Sequence, residues 1–465
     1  MKRRSFVRTV ATATAMTAAS RGRVLGANDR INVGLIGCGG RGTLDTRLIR
    51  ANPEDLRAMS RASGGKLDPR IGDQPRGVEV IGLCDVWQQR IDQAKRWAPG
   101  AKEFKDFRAL LDDQAIDVVV IATPDPWHVP MAILACEAGK DIYLEKPVMY
   151  SIKEGKAVID AVRKHQRIVQ IGSQHRSAEH IAQAARIVQS GKIGEVYWVR
   201  VWNNLQMGKR TPKPDSAPPP GLDWDMWLGP APKAPFNVDR LGYRSFMDYT
   251  NGLISDYGMH RFDSVTQIMG VDTPTAVSSS WGKFQPVGVG DLPDIHQATY
   301  EFPRFILSYE CCTVNSLGLG GPRTPGHRVY GGRGPNDRPH GMAFYGTDAA
   351  LFVDRIGMQL FSEPKSGSPR GKWEPRLEEF SMNEPEPTPL HTKIFVDNIR
   401  HRKEPFANIE AGVKSTIIPI LGNIAARQDR KLHWDGGSVS FPNDPAANKA
   451  LFRPYRKPWD LVEIG

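Results

Sequence analysis

Ile31-Asn-Val-Gly-Leu-Ile-Gly-Cys-Gly-Gly-Arg-Gly42 is the stretch that decides the fold. The apolar run Ile31–Ile36 is short and uninterrupted, as in a parallel strand buried on both faces. Gly37, Gly39 and Gly42 follow in G-x-G-x-x-G spacing, and 44–51 reads as a helix. Strand, glycine turn and helix together form a dinucleotide fingerprint. Gly37 permits the tight turn, Gly39 lets a pyrophosphate approach the backbone, and Gly42 lets helix and strand pack closely. The phosphates would sit on N–H groups at the helix N-terminus, where the helix dipole favours negative charge.

The same alternation continues outward. Residues 52–77 are polar and rich in Gly, Pro and Arg, and read as an insertion or a partly ordered loop. Val78–Cys84 is a second strand ending at Asp85. A carboxylate at that strand end holds the adenosine ribose hydroxyls and repels a 2′-phosphate, so NAD is favoured over NADP. The bland reading of Asp85 is a turn aspartate. Helical patterns at 87–97, Phe107–Leu111, 127–137 and 152–165 alternate with apolar runs at 117–121, 142–144 and 168–172. This is an α/β pattern, a Rossmann-type doubly wound parallel sheet over 28–172. Its ligands bind off the carboxyl ends of the strands, which places Asp85, Thr123, Glu145-Lys146 and Gln174-His175-Arg176 along one rim.

Beyond 172 the pattern changes. After a helix at 177–190 come alternating runs at 194–202, Ala276–Gly282, 296–302 and 305–313, the last two joined as a hairpin through Pro303-Arg304. Residues 208–235 are Pro-rich, 317–341 form a Gly/Pro/Arg-rich loop, and 343–361 read as short strands. Helices at 390–400 and 413–427 follow. Strands in runs with helices on one face predict an α+β domain over 173–465, with a large, open, mostly antiparallel sheet. Its open face suits a homodimer or homotetramer.

The chain is long enough for two domains, and no apolar run reaches membrane-spanning length. Lys2, Arg3 and Arg4 precede Ser5-Phe6-Val7, a mild apolar run and the small-residue stretch Leu25-Gly26-Ala27. This order matches a twin-arginine export signal over 1–27, and so a periplasmic protein. Those residues carry six basic side chains and no acidic one; the rest holds 56 basic against 51 acidic, a net +5. That balance excludes a nucleic-acid footprint. Cys38, Cys84, Cys136, Cys311 and Cys312 have no disulfide-framework spacing, and no Cys/His cluster has metal spacing.

Asp256-Tyr-Gly-Met-His260 is the second chemical stretch. On a helix its Asp and His share a face, and a carboxylate beside an imidazole fixes the tautomer and raises basicity. Taken alone, the spacing also describes a surface pair or a helix cap. The ordered set Gly37-Cys-Gly-Gly-Arg-Gly42, Asp85, Thr123-Pro124, His128, Glu145-Lys146-Pro147 and Asp256-Tyr-Gly-Met-His260 resembles glucose–fructose oxidoreductase, inositol dehydrogenase and their relatives, the Gfo/Idh/MocA family. The resemblance runs from about residue 31 to the C-terminus. The 224–232 segment, Trp434-Asp and 455–459 are similar to an exported bacterial branch.

The resemblance implies residue roles. Thr123 and Pro124 border the nicotinamide, with His128 and Glu145 near the cofactor. Lys146 meets the substrate hydroxyl, His260 is the acid/base and Asp256 its neighbour. His175 and Arg176, with Trp202, are candidates to touch a sugar, the alternative being packing and ion pairing. Oxidising a secondary alcohol needs a base for the hydroxyl proton and a cation or donor for the developing alkoxide. His260 suits the first role and Lys146 the second. The expected activity is oxidation of a sugar, glycoside or polyol hydroxyl by hydride transfer to NAD. The alternative is a redox-neutral glycosidase that oxidises, eliminates and rehydrates at the same site.

Overall fold

The computed structural model describes residues 30–62, 67–72, 76–207, 210–285, 288–320, 337–367 and 373–464. The export-signal stretch 1–27 lies outside the described residues. β1 (Ile31–Ile36), β2 (Val78–Cys84), β3 (Lys102–Phe104), β4 (Val118–Ile121), β5 (Asp141–Leu144) and β6 (Val169–Ile171) form one sheet in the order β3-β2-β1-β4-β5-β6. Every pairing in it is parallel. All residues of β1, β4, β5 and β6 are buried, which explains why they lack a polar alternation. The order reverses between β1 and β4, so the crevice off their carboxyl ends lies at the switch point of the sheet.

The stretch 52–77 is more ordered than its composition suggested. It carries the helix Pro53–Ala62 and a 3-10 turn at Pro69–Ile71. Asp55 anchors it: the carboxylate is buried and accepts from Arg47 Nε at 2.6 Å and Arg50 Nη2 at 3.2 Å. Asp55 lies in the polar stretch, and its pairing with two arginines of the preceding helix Gly40–Arg50 docks the segment.

The second sheet has nine strands. β7 (Val196–Asn204) and β10 (Ile306–Cys312) sit at its centre, with β8 (Ala276–Gly282), β9 (Ile295–Glu301), β13 (His340–Gly346), β14 (Ala349–Val353), β15 (Gly357–Ser362), β16 (Phe380–Asn383) and β17 (Leu432–His433) outside. The order is β16-β15-β14-β13-β7-β10-β9-β8-β17. Only β7 and β10 pair in parallel. β11 (Leu319–Gly320) and β12 (Asp337–Arg338) form a separate ribbon. The helices Glu179–Gln189, Gly258–Met269 and Ile409–Gln428 pack on one face of the sheet.

Two connections tie the halves together. The helix Thr388–His401 returns to the first sheet, where Phe395, Val396 and Ile399 share a core with Ile31, Val33 and Leu35. The Pro-rich stretch after β7 reaches back over the end of β2: Gln88 N–H donates to Gly221 O at 2.9 Å, and Asp223 N–H to Val86 O at 2.9 Å. Trp459, near the end of the chain, holds this strap by donating to Asp225 at 2.9 Å and packing edge-on against Trp127.

Candidate active site

The glycine turn is built for a phosphate. Gly37 has φ +93°, and a Cβ there would stand 2.4 Å from Ala122 O. At Gly42 a Cβ would meet Gly37 O at 2.3 Å, so only glycine lets the helix Gly40–Arg50 approach β1 this closely. Above Gly39 nothing lies within 4 Å of where a Cβ would stand. The helix that starts here has no side-chain cap. Its first N–H groups and the space over Gly39 therefore fit a pyrophosphate.

Asp85 sits where β2 meets this turn. Its carboxylate accepts from Cys38 N–H at 2.8 Å and Trp87 N–H at 2.9 Å. Burial pushes its pKa up to about 6, against the pull of those two N–H groups. Ile36, Gly37, Gly39, Asp85, Thr123 and Pro124 line one crevice, together with Met226, Trp227 and Tyr243 from the strap. Trp127 lines it too, and its indole donates to Met226 O at 3.1 Å.

His128 does not line this crevice. It is buried behind it, with Nδ1 2.6 Å from Pro147 O and Nε2 2.9 Å from Thr123 O. Both nitrogens are occupied by backbone carbonyls, so the ring braces the Thr123 turn against the Lys146–Pro147 turn. Any effect it has on a cofactor passes through those turns.

A second cavity opens beside the first. Tyr243 lines one and Arg244 the other. Lys146, His175, His260, Asn203, Arg261 and Arg355 converge on this second cavity. Lys146 Nζ donates to Asp256 Oδ1 at 2.6 Å and to Asp256 O at 2.9 Å. Arg244 Nε takes the other carboxylate oxygen at 3.0 Å. Burial opposes ionisation of Asp256, but Lys146 and then Arg244 outweigh it and hold the carboxyl at about 2.

The expected pairing of Asp256 with His260 is not what the chain forms. Asp256 ends the helix Gly252–Asp256, and a new helix, Gly258–Met269, starts after Tyr257. The break turns the carboxylate toward Lys146 and Arg244. His260 Nδ1 is left buried without a hydrogen-bond partner among the described residues. Burial, then Lys146 and His175, drive the His260 pKa well below its ordinary value of 6.5. The imidazole is thus neutral at neutral pH and able to accept a proton.

Glu145 lines the same cavity and is held by Arg41 Nε at 3.1 Å, with Asp45 beside it. Burial raises Asp45 far above the usual carboxylate range, while Arg41 and Lys146 overcome burial and keep Glu145 low. Arg176 points elsewhere: its guanidinium grips Asp263 at 2.8 Å and lies over Phe406. Trp202 is buried, donating to Arg338 O at 2.7 Å. Arg244, Arg261 and Arg355 escaped the sequence reading, because isolated arginines far apart in the chain carry no local signal.

Two family models match the chain. One, described as an oxidoreductase family NAD-binding Rossmann fold, covers residues 31–173; the other, its C-terminal alpha/beta domain, covers 180–304 and 349–461. The chain belongs to the Gfo/Idh/MocA oxidoreductase family. Among family relatives, the inositol 2-dehydrogenase of Salmonella typhimurium is 33% identical over 128 residues, 27% of this chain and 38% of that protein. The matched stretch thus spans well under half of that relative's length. The scyllo-inositol 2-dehydrogenase (NAD(+)) of Bacillus subtilis is 22% identical over 73% of this chain and 86% of its own. A solved levoglucosan dehydrogenase, in complex with NADH and levoglucosan, shares the Gfo/Idh/MocA fold at TM-score 0.61 and 19% identity, covering 87% of this chain and 99% of that one.

The first domain matches an NAD-binding Rossmann family, and Asp85 directly follows β2 against the glycine turn. NAD should bind at least about tenfold tighter than NADP, a difference of about 1.4 kcal/mol. Arg90 and Lys105 also line the crevice and keep the margin modest. Calorimetry with both dinucleotides checks this, and equal affinities would place Asp85 away from the ribose.

Proposed function

We propose that the protein is an NAD-dependent oxidoreductase acting on a secondary hydroxyl of a sugar, glycoside or polyol. The observation that carries this reading is the convergence of Lys146 and His260 on one cavity next to the glycine-turn crevice. NAD, when bound, supplies a hydride acceptor. His260, neutral and with its Nδ1 buried, takes the hydroxyl proton. Lys146 spends two of its three N–H donors on Asp256. The third serves the substrate oxygen as negative charge develops on it. Mass spectrometry of products from a glycoside and polyol panel, with and without added NAD, tests the reading. Unchanged substrates throughout would reject it.

The export signal adds a constraint. Outside the cytoplasm no pool of NAD is maintained, so the cofactor has to be loaded before export and kept. A kept cofactor must return to its starting redox state in each cycle. Three reactions allow that: coupled oxidation and reduction of two sugars, epimerisation through a ketone, and elimination with hydration of a glycoside. The strap supports retention, since Met226, Trp227 and Tyr243 wall the crevice while the backbone bonds between 86–88 and 221–223 close its edge. Protein purified from the periplasm should carry about one dinucleotide per chain through gel filtration and turn over without added NAD. Denaturing it and assaying the released dinucleotide is the check; an empty protein would favour an ordinary dehydrogenase. We also assign self-association to the open sheet face, where Trp198 and Ile306 are exposed.

A further inference from the structure

Among the described residues, every buried histidine except His175 has a hydrogen-bond partner. His128 lies between two carbonyls, His180 between Glu384 and Asp354 O, and His391 between Ser177 and Ile171 O. His296 meets Ser279, and His340 meets Arg261. His175 differs. It is 2% exposed, it lines the substrate cavity with Lys146 and His260, and neither ring nitrogen has a hydrogen-bond partner among the described residues. Leaving a buried imidazole unsatisfied costs free energy that a ligand can restore.

The position of His175 is set by β6, which ends directly before the 3-10 turn Gln174–Ser177. The turn brings its ring to 5.0 Å from the His260 ring, centre to centre, at 42°. Burial, then Arg261 and Arg355, push its pKa well below 6.5. Two neutral imidazoles therefore face one cavity, which Lys146 also lines. Removing the proton of a single hydroxyl uses one base and one cation. The second base is surplus to that step.

We propose that His175 is a second acid/base residue, acting on the C–H next to the carbon that has become a ketone. The proposal rests on the oxidoreductase reading above. A ketone acidifies its neighbouring C–H, because the electron pair left behind delocalises onto the carbonyl oxygen. His175 takes that proton; the C–H pair becomes the C=C bond of an enolate, and its oxygen carries the charge toward Lys146. When the carbonyl re-forms, the pair either takes a proton on the other face of the ring or expels a leaving group on the next carbon. The first outcome is epimerisation. The second is elimination, completed by addition of water. Neither changes the oxidation state of the substrate, so the hydride taken at the start is returned and no outside oxidant is needed.

The test uses the full-length enzyme with its dinucleotide in D₂O, with myo-inositol, levoglucosan and the methyl α- and β-glucopyranosides as probes. Dinucleotide absorbance reports hydride transfer, and NMR of the recovered probe reports carbon-bound deuterium. Wild-type enzyme should place deuterium on the carbon adjacent to the oxidised one. In His175→Gln that label should fall by roughly 10² or more, as for loss of a general base, while reduction of the dinucleotide slows less than about tenfold. His175→Asn is the second variant, and retention of the dinucleotide through gel filtration reports that both are folded. Dinucleotide reduction without deuterium in the wild type overturns the proposal, as does equal loss of both signals in the folded variants. If no probe reduces the dinucleotide, the oxidoreductase reading itself fails and the proposal falls with it.

Discussion

Replacing His260 with alanine should lower turnover by roughly 10²–10⁴, the loss expected when a general base is removed. That is about 3 to 5 kcal/mol of transition-state stabilisation. Dinucleotide binding should stay nearly intact, because His260 lines the substrate cavity and not the glycine-turn crevice. The pH profile carries the sign. A base works in its neutral form, and His260 sits well below 6.5, so wild-type kcat/KM should hold down through pH 6.5 and fall only at lower pH. A stopped assay of His260→Ala against wild type, with calorimetry for the cofactor, measures both parts. Near-normal turnover in the variant would remove His260 from the chemistry.

Lys146→Ala should be damaged by a similar factor, roughly 10²–10³, as for loss of one donor to a developing oxyanion. In the proposed mechanism its ammonium faces the reacting oxygen, and its removal leaves Asp256 with Arg244 as its cationic partner. A buried carboxylate that loses one of two cations rises in pKa, and a proton taken up there offsets part of the lost charge, so the damage in Lys146→Ala is chiefly the missing donor. Asp256→Asn tests the same arrangement from the other side. It leaves Lys146 in place but removes the carboxylate that pins it, and it should raise KM and lower kcat less than Lys146→Ala does. Steady-state kinetics on the two variants separates them. An Asp256→Asn enzyme more impaired in kcat than Lys146→Ala would assign the proton to the carboxylate and not to His260.

The parts of this protein that sequence reading reached share a physical trait: each is encoded within one turn or one strand. The glycine turn, the end of β2 at Asp85 and the end of β5 at Glu145-Lys146 are local patterns. Their chemistry follows from a topology in which every parallel strand delivers its carboxyl end to the same rim. Buried strands announce themselves as apolar runs, and the change to alternating runs after residue 172 marks the second sheet. For the same reason the helix within 52–77 is not legible in the sequence. Its order comes from Arg47 and Arg50 closing on Asp55, a polar core that composition alone presents as a loop.

What tertiary structure alone decided is which charge meets which. Asp256 and His260 are four residues apart, and a continuous helix would have paired them; a break at Tyr257 sends the carboxylate instead to Lys146, 110 residues away in sequence. Arg176 follows β6 directly, yet Asp263 draws it out of the cavity, while its neighbour His175 stays in. The helix Thr388–His401 and the strap at 221–223 belong to the first sheet's surroundings through packing and backbone bonds that leave no periodic trace. Apolar burial and glycine geometry are properties of a few consecutive residues, so the sequence by itself determined the two sheets and the dinucleotide turn. Ion pairing depends on distances between segments far apart in the chain, so only the folded structure determined how the charges of the candidate site are paired.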